Sequence, residues 1–87
     1  MNLSIVIPLL NEQNSLEELT NSISTVVKSL TLEFEIILID DGSTDNSWKS
    51  ISKICSNNQN VKGIRFLKNF GKSQALSAGF KACNGDV

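Results

Sequence analysis

Four aliphatic residues in succession, Ile36-Ile37-Leu38-Ile39, run directly into Asp40-Asp41-Gly42-Ser43-Thr44-Asp45. No other feature constrains the fold as tightly. An aliphatic run without polar alternation suits a strand covered on both faces, the habit of a central parallel strand rather than a hairpin arm. Parallel neighbours need crossovers, usually helices, and the flanking sequence supplies them. Leu3-Ser4-Ile5-Val6-Ile7 is an earlier apolar run, expected to stop at Pro8, where a ladder donor is lost. After a polar loop over 11–15, Leu16, Leu19, Ile23, Val26, Val27 and Leu30 recur at intervals of three and four, one face of a helix. Ser15 and Glu18 stand at capping-box spacing at its start.

The pattern then repeats. Phe34 to Ile39 forms the second strand, and Trp48, Ile51, Ile54 and Cys55 mark a second helix that Asn57-Asn58-Gln59-Asn60 closes. A third strand is expected from Val61 to Leu67, with Gly63 weakening it or admitting a close neighbour. The third helix is expected to present Leu76, Phe80 and Cys83 as its apolar face, while Ala75, Ala78, Gly79 and Ala82 keep one side slim. Asn84-Gly85 reads as its left-handed cap and Asp86-Val87 as the first step of a fourth strand. The order predicts an α/β, Rossmann-like three-layer β-α-β-α-β-α unit: one domain over residues 1–87, with a parallel sheet and helices on both faces. A chain that stops as a strand starts reads as the amino-terminal piece of something longer.

Composition narrows the function. The chain has 87 residues, 40% hydrophobic and 20% charged, with a formal net charge of -1, which fits a soluble globular protein and weighs against a nucleic-acid partner. There is no histidine, which excludes a Ser/His/Asp triad and a Cys/His zinc site. Cys55 and Cys83 each fall in an apolar helical pattern and read as small buried hydrophobes of a reducing, cytoplasmic compartment. No segment offers the ~20 apolar residues of a membrane span, and the opening apolar run lacks the basic start and cleavage site of a signal peptide.

Ligands of such sheets sit beyond the carboxyl ends of the strands, where this chain turns polar. Asp40 and Asp41 are two adjacent carboxylates at the edge of a core, with Gly42 to let the chain turn. One acid is accounted for as a cap for the next helix; two suggest a ligand, such as the ring N–H of a nucleobase or a ribose hydroxyl. Asn11-Glu12 occupies the equivalent place after the first strand, where a plain polar loop is the competing explanation. Gly71-Lys72-Ser73 imitates the end of a P-loop, but Phe66 stands where that motif needs its first glycine. What survives is a helix start with Gly71, Lys68 and Lys72, suited to a phosphate or diphosphate; solvated surface lysines are the alternative. A calcium loop beginning at Asp41 fails because Asn46 and Ser52 hold its glycine and closing-acid positions. A dinucleotide fingerprint fails because Leu9-Leu10-Asn11-Glu12 replaces its glycines.

Taken in order, Ile5-Val6-Ile7-Pro8-Leu9-Leu10-Asn11-Glu12, Glu35 to Asp45, Asn69-Phe70-Gly71-Lys72 and Ala78-Gly79 to Asn84-Gly85-Asp86 resemble the family 2 glycosyltransferases. The third stretch is similar to the branch of dolichyl-phosphate mannosyltransferase and bacterial polyprenyl-phosphate sugar transferases. The resemblance implies the amino-terminal, nucleotide-binding half of a GT-A fold, with a UDP- or GDP-sugar as donor and a lipid phosphate or glycan as acceptor. It implies nucleotide contacts from Pro8, Leu10, Asn11, Glu12, Asp40, Asp41, Gly42, Asn69, Gly71 and Lys72, with Asp41 at the base edge. Leu10 stands where many relatives carry an aromatic, so base stacking is weaker or supplied elsewhere. The family's Asp-x-Asp motif, which holds Mg²⁺ or Mn²⁺, belongs to the next strand. No catalytic or metal-binding residue is therefore expected within these residues, and no metal on the piece alone, which should not transfer sugar by itself. The full-length protein would work in the cytoplasm or at the cytoplasmic face of a membrane. An uncovered sheet edge or apolar helix face is expected to favour self-association. Two other classes stay open at this point: a receiver-like signalling domain, although Leu67-Lys68-Asn69 lacks its acceptor aspartate, and an assembly domain whose strand-end acids are only caps.

Overall fold

The computed structural model describes residues 3–30 and 33–83; the expected Asn84-Gly85 cap and the fourth strand at 86–87 lie outside the described residues. Strands β1 (Leu3–Leu9), β2 (Phe34–Asp41) and β3 (Val61–Phe66) alternate with helices α1 (Leu16–Ser29), α2 (Ser47–Asn57) and α3 (Lys72–Ala82). All pairing is parallel and β2 lies between the other two. The aliphatic run therefore sits where it was expected, and every residue of β2 is buried.

Alternation along the strands sorts the core into two layers. Ile36 and Leu38 face α1 and α2, packing with Leu16, Val27, Ile51, Ile54 and Val61. Ile37 and Ile39 face α3 and pack with Val6, Ile64, Phe66 and Ala75. Glu35, at the opposite end of β2 from the polar loops, is buried and held: Ser4 Oγ donates to its Oε2 at 2.6 Å, and Lys62 Nζ lies 2.9 Å from Oε1. The ion pair has one partly exposed member, so water reaches Lys62 while the carboxylate stays inside.

Several expectations are corrected. Pro8 does not end β1; it pairs in register with Ile39, in a strand with one neighbour among the described residues, the edge setting in which proline is tolerated. β2 does not stop at Ile39 but continues through both acids, and β3 ends at Phe66, leaving Leu67 exposed. The capping box fails: Ser15 is the N-cap of α1, but its hydroxyl donates to the Glu12 carboxylate at 2.9 Å instead of capping the helix. On α1 only Leu16, Thr20 and Val27 are buried, while Leu19, Val26 and Leu30 point outward. Thr20 enters the core because its hydroxyl donates to the Leu16 carbonyl, which removes the cost of an unpaired polar group.

On α3 the burial is reversed. Ala75 and Gly79 face the sheet, and Phe80 is 63% exposed. The cause is distance: a Cβ on Gly79 would overlap the Val6 side chain and lie 2.8 Å from Ile39 Cδ1, so the helix docks by its slim side. Gly63 likewise admits a close neighbour, since a Cβ there would lie 2.6 Å from Ile51 Cγ2. Cys55 and Cys83 are only half-buried, and burial pushes the Cys55 thiol pKa up, away from reactivity.

Candidate functional site

The three polar loops meet at the carboxyl ends of the strands. Because β2 runs through Asp40 and Asp41, the pleat sends these neighbours to opposite faces, and the repulsion expected of adjacent carboxylates is relieved. Asp40 turns toward the α1/α2 side, where its Oδ1 accepts the Ser43 N–H at 2.8 Å. Asp41 turns toward α3. Its Oδ1 accepts the Phe70 N–H at 2.9 Å and its Oδ2 the Gly71 N–H at 3.1 Å. One buried carboxylate thus anchors the β3–α3 loop. Each oxygen keeps further acceptor capacity, since an ionised carboxylate offers about four lone-pair sites.

The first two loops are joined by side chains. Asn11 has φ 55, a left-handed conformation that asparagine adopts more readily than most residues. From it, Oδ1 accepts the N–H groups of Thr44 at 2.9 Å and Asp45 at 3.3 Å, while its own N–H donates to Ser43 Oγ. The Glu12 N–H donates to Ser47 Oγ at 2.9 Å, and Gln13 Oε1 accepts the Asn46 N–H at 2.6 Å. Asp45 Oδ1 accepts the Ser47 N–H at 2.8 Å; hydrogen bonding from Ser47, chiefly the side chain, holds the Asp45 pKa below the ordinary carboxylate value.

Gly42 has φ 82, and a Cβ there would collide with the backbone of Lys68 and Asn69. It lets the second and third loops touch. Gly71, with φ 95, is the N-cap of α3 and has open space where a Cβ would stand, so backbone conformation rather than crowding selects glycine there. No side chain caps this helix, which leaves its first-turn N–H groups, near the positive end of the dipole, available to an anion.

These constraints shape a cleft of about 400 Å³ lined by Pro8, Leu9, Leu10, Glu12, Asp41, Asn69, Gly71 and Lys72. Of the residues singled out from the sequence, Pro8, Leu10, Glu12, Asp41, Asn69, Gly71 and Lys72 reach its wall. Asn11, Asp40 and Gly42 are not among the lining residues; they hold the loops that form it. Leu9, Gln13, Ser43 and Ser47 were not singled out. Leu9 lies beyond the strand end expected at Pro8, in the last position of β1, and the linking groups reveal themselves only once two loops distant in sequence are placed together. Among the described residues no three His, Cys, Asp or Glu gather to hold a metal ion. With Asp40 and Asp41 already turned to backbone amides on opposite faces, the described acids do not form a divalent-metal centre.

The parallel sheet, its flanking helices and a polar cleft beyond the strand ends define a Rossmann-like α/β unit, an architecture whose ligands sit at that edge of the sheet. Among solved structures, the chain superposes on the mannosyltransferase PcManGT from Pyrobaculum calidifontis, in complex with GDP-Man and Mn2+, with a TM-score of 0.81. That match has 19% identity and covers 98% of this chain and 25% of the other, so it speaks to the GT-A fold alone. TarS 1–349 of S. aureus matches with a TM-score of 0.78 and 27% identity, over 99% of this chain and 25% of that one. The undecaprenyl-phosphate 4-deoxy-4-formamido-L-arabinose transferase of Pseudomonas fluorescens is 45% identical over 85 residues, 97% of this chain and 25% of the relative. The model of Glycosyl transferase family 2 matches residues 4–87. The chain belongs to glycosyl transferase family 2, and it spans about a quarter of the length of these relatives. Family membership sets the receiver-like reading aside.

Proposed function

We propose that this unit binds the nucleotide of a UDP- or GDP-sugar, within a longer enzyme that passes the sugar to an acceptor. The observation that carries the reading is the meeting of Glu12, Asp41, Asn69 and Lys72 around one cleft at the strand ends. Each group has a chemical part. Asp41 accepts from a base N–H through the lone pairs its two amide bonds leave over, and Glu12 accepts from ribose hydroxyls. Lys72 and the uncapped start of α3 suit the diphosphate. Pro8 and Leu10 give the base an apolar wall without aromatic stacking.

The acceptor is a polyprenyl phosphate, by analogy with the formamido-arabinose transferase. Its phosphate oxygen is already anionic, so transfer needs no strong base. The place of action is the cytoplasmic face of a membrane; no described helix is long and apolar enough to cross one. Mg²⁺ or Mn²⁺ would be held by residues other than those described, and the 87-residue chain alone is expected to bind nucleotide weakly and transfer no sugar.

The test is a titration of the isotope-labelled chain with UDP and with GDP, following backbone amides. Shifts concentrated at Glu12, Asn69, Gly71 and Lys72 support the reading. Shifts absent at saturating nucleotide, or centred away from the strand ends, would leave a domain that assembles without a small ligand.

A further inference from the structure

The near-neutral net charge conceals a strong segregation. Every lysine and arginine except Lys28 lies between Asp45 and Asp86, a stretch that contains no acidic residue. Some of these cations are engaged: Lys62 pairs with Glu35, and the Arg65 guanidinium lies 5.8 Å from the Trp48 ring centroid. Lys68, Lys72 and Lys81 have no carboxylate partner among the described residues.

These free cations accompany apolar side chains that the fold leaves outside. Because α3 docks by Ala75 and Gly79, its outward side carries Leu76 and Phe80, which share a shallow apolar depression with Ser73, Ser77 and Lys81. At the amino-terminal end of the same helix, Phe70 is 53% exposed, and Lys68 Nζ lies 5.2 Å from its ring centroid. Leu67, beside them in the loop, is 90% exposed. Lysine alternating with bulky apolar groups, and no acid among them, is the complement of one kind of surface: anionic headgroups over an acyl layer.

We propose that the β3–α3 loop and the outward side of α3 dock on an anionic lipid surface. Leu67, Phe70 and Phe80 enter the headgroup boundary, and Lys68 and Lys81 meet the lipid charges. A nucleic acid is the lesser fit, because the outward side of α3 offers aliphatic and alcohol side chains between its cations rather than a row of phosphate contacts. The inference uses no acceptor chemistry, and its loop side chains alternate along the chain with Asn69, Gly71 and Lys72, which line the cleft.

The experiment is co-sedimentation of the 87-residue chain with phosphatidylcholine vesicles, with and without phosphatidylglycerol. Binding is expected only with the anionic lipid and should weaken as salt is raised. Lys68→Gln and Lys81→Gln should each reduce partitioning about fivefold, and Phe80→Ser about tenfold. Phe80 is exposed, so that variant should keep the wild-type circular dichroism; Lys49→Gln, on α2, should bind as wild type. Sedimentation with neither vesicle, equal sedimentation with both, or binding unaffected by Phe80→Ser would overturn the proposal. So would salt-sensitive binding to single-stranded RNA with no binding to lipid.

Discussion

The first two strand-end loops and the third are built to different standards. The β1–α1 and β2–α2 loops are joined by Asn11, Gln13, Ser43 and Ser47, each bonding to backbone of the other loop. The β3–α3 loop is tied to the sheet by the Asp41 carboxylate and by the contact that Gly42 permits. A structure held by many hydrogen bonds loses little when one is removed, whereas the third loop has one carboxylate for its side-chain hydrogen bonds and otherwise only the Gly42 contact and the edge-on packing of Phe70 against Phe66. The rigid half of the cleft is therefore the wall containing Pro8 to Glu12, and the adjustable half contains Asn69 to Lys72.

The contrast can be broken most directly at Asp41. Asp41→Ala should cost about 3 kcal/mol in urea denaturation, because two charge-assisted hydrogen bonds are lost from a buried site. Hydrogen exchange at Phe70 and Gly71 should accelerate well beyond exchange in the first loop. Next in size is Asn11→Ala, expected to cost about 1–2 kcal/mol by removing two backbone partners and placing alanine at positive φ. Asn11→Gly relieves the backbone part and should recover about half of that loss. Gln13→Ala removes one exposed bond, and a change of about 0.5 kcal/mol in the same assay is expected. Little spread of exchange from one joined loop into the other would accompany these variants if the linking is redundant.

The smallest effect concerns pH. The Asp45 pKa is depressed in the folded chain, so its contribution is present above the ordinary carboxylate value and fades as pH falls through the lower folded value. Thermal midpoints of Asp45→Asn should therefore lie below wild type near neutrality and converge with it in acid. A constant offset across the range would mean the loop does not depend on that charge.

The sequence carried the layer order well because the signals were local and strong: the aliphatic run of β2, the apolar spacing of α2 and the asparagines after it. It misplaces the burial of α3 because apolar periodicity ranks large residues as core, whereas the sheet selects by available space, and Gly79 with Ala75 fits closer. It overestimates the apolar face of α1 for a related reason: the core takes Leu16, Thr20 and Val27 fully and Ile23 in part, and leaves Leu19 and Val26 outside. At the cleft, residue types marked the lining, since Glu12, Asp41 and Lys72 are polar where a core strand has just ended. They could not separate lining from support. Asn11 and Asp40 look the same in sequence as a ligand-facing amide and acid, and only the pleat and the neighbouring loop decide which way each turns.

The missing side chain at Gly79 also acts as a spacer set to zero thickness. With no methyl between α3 and the Val6–Ile39 ridge, the helix axis is as low as it can go, and Lys72 at its head is lowered with it. Any larger residue at that interior position would work like a shim, tilting a lysine two turns away and changing the gape of a mouth it never touches.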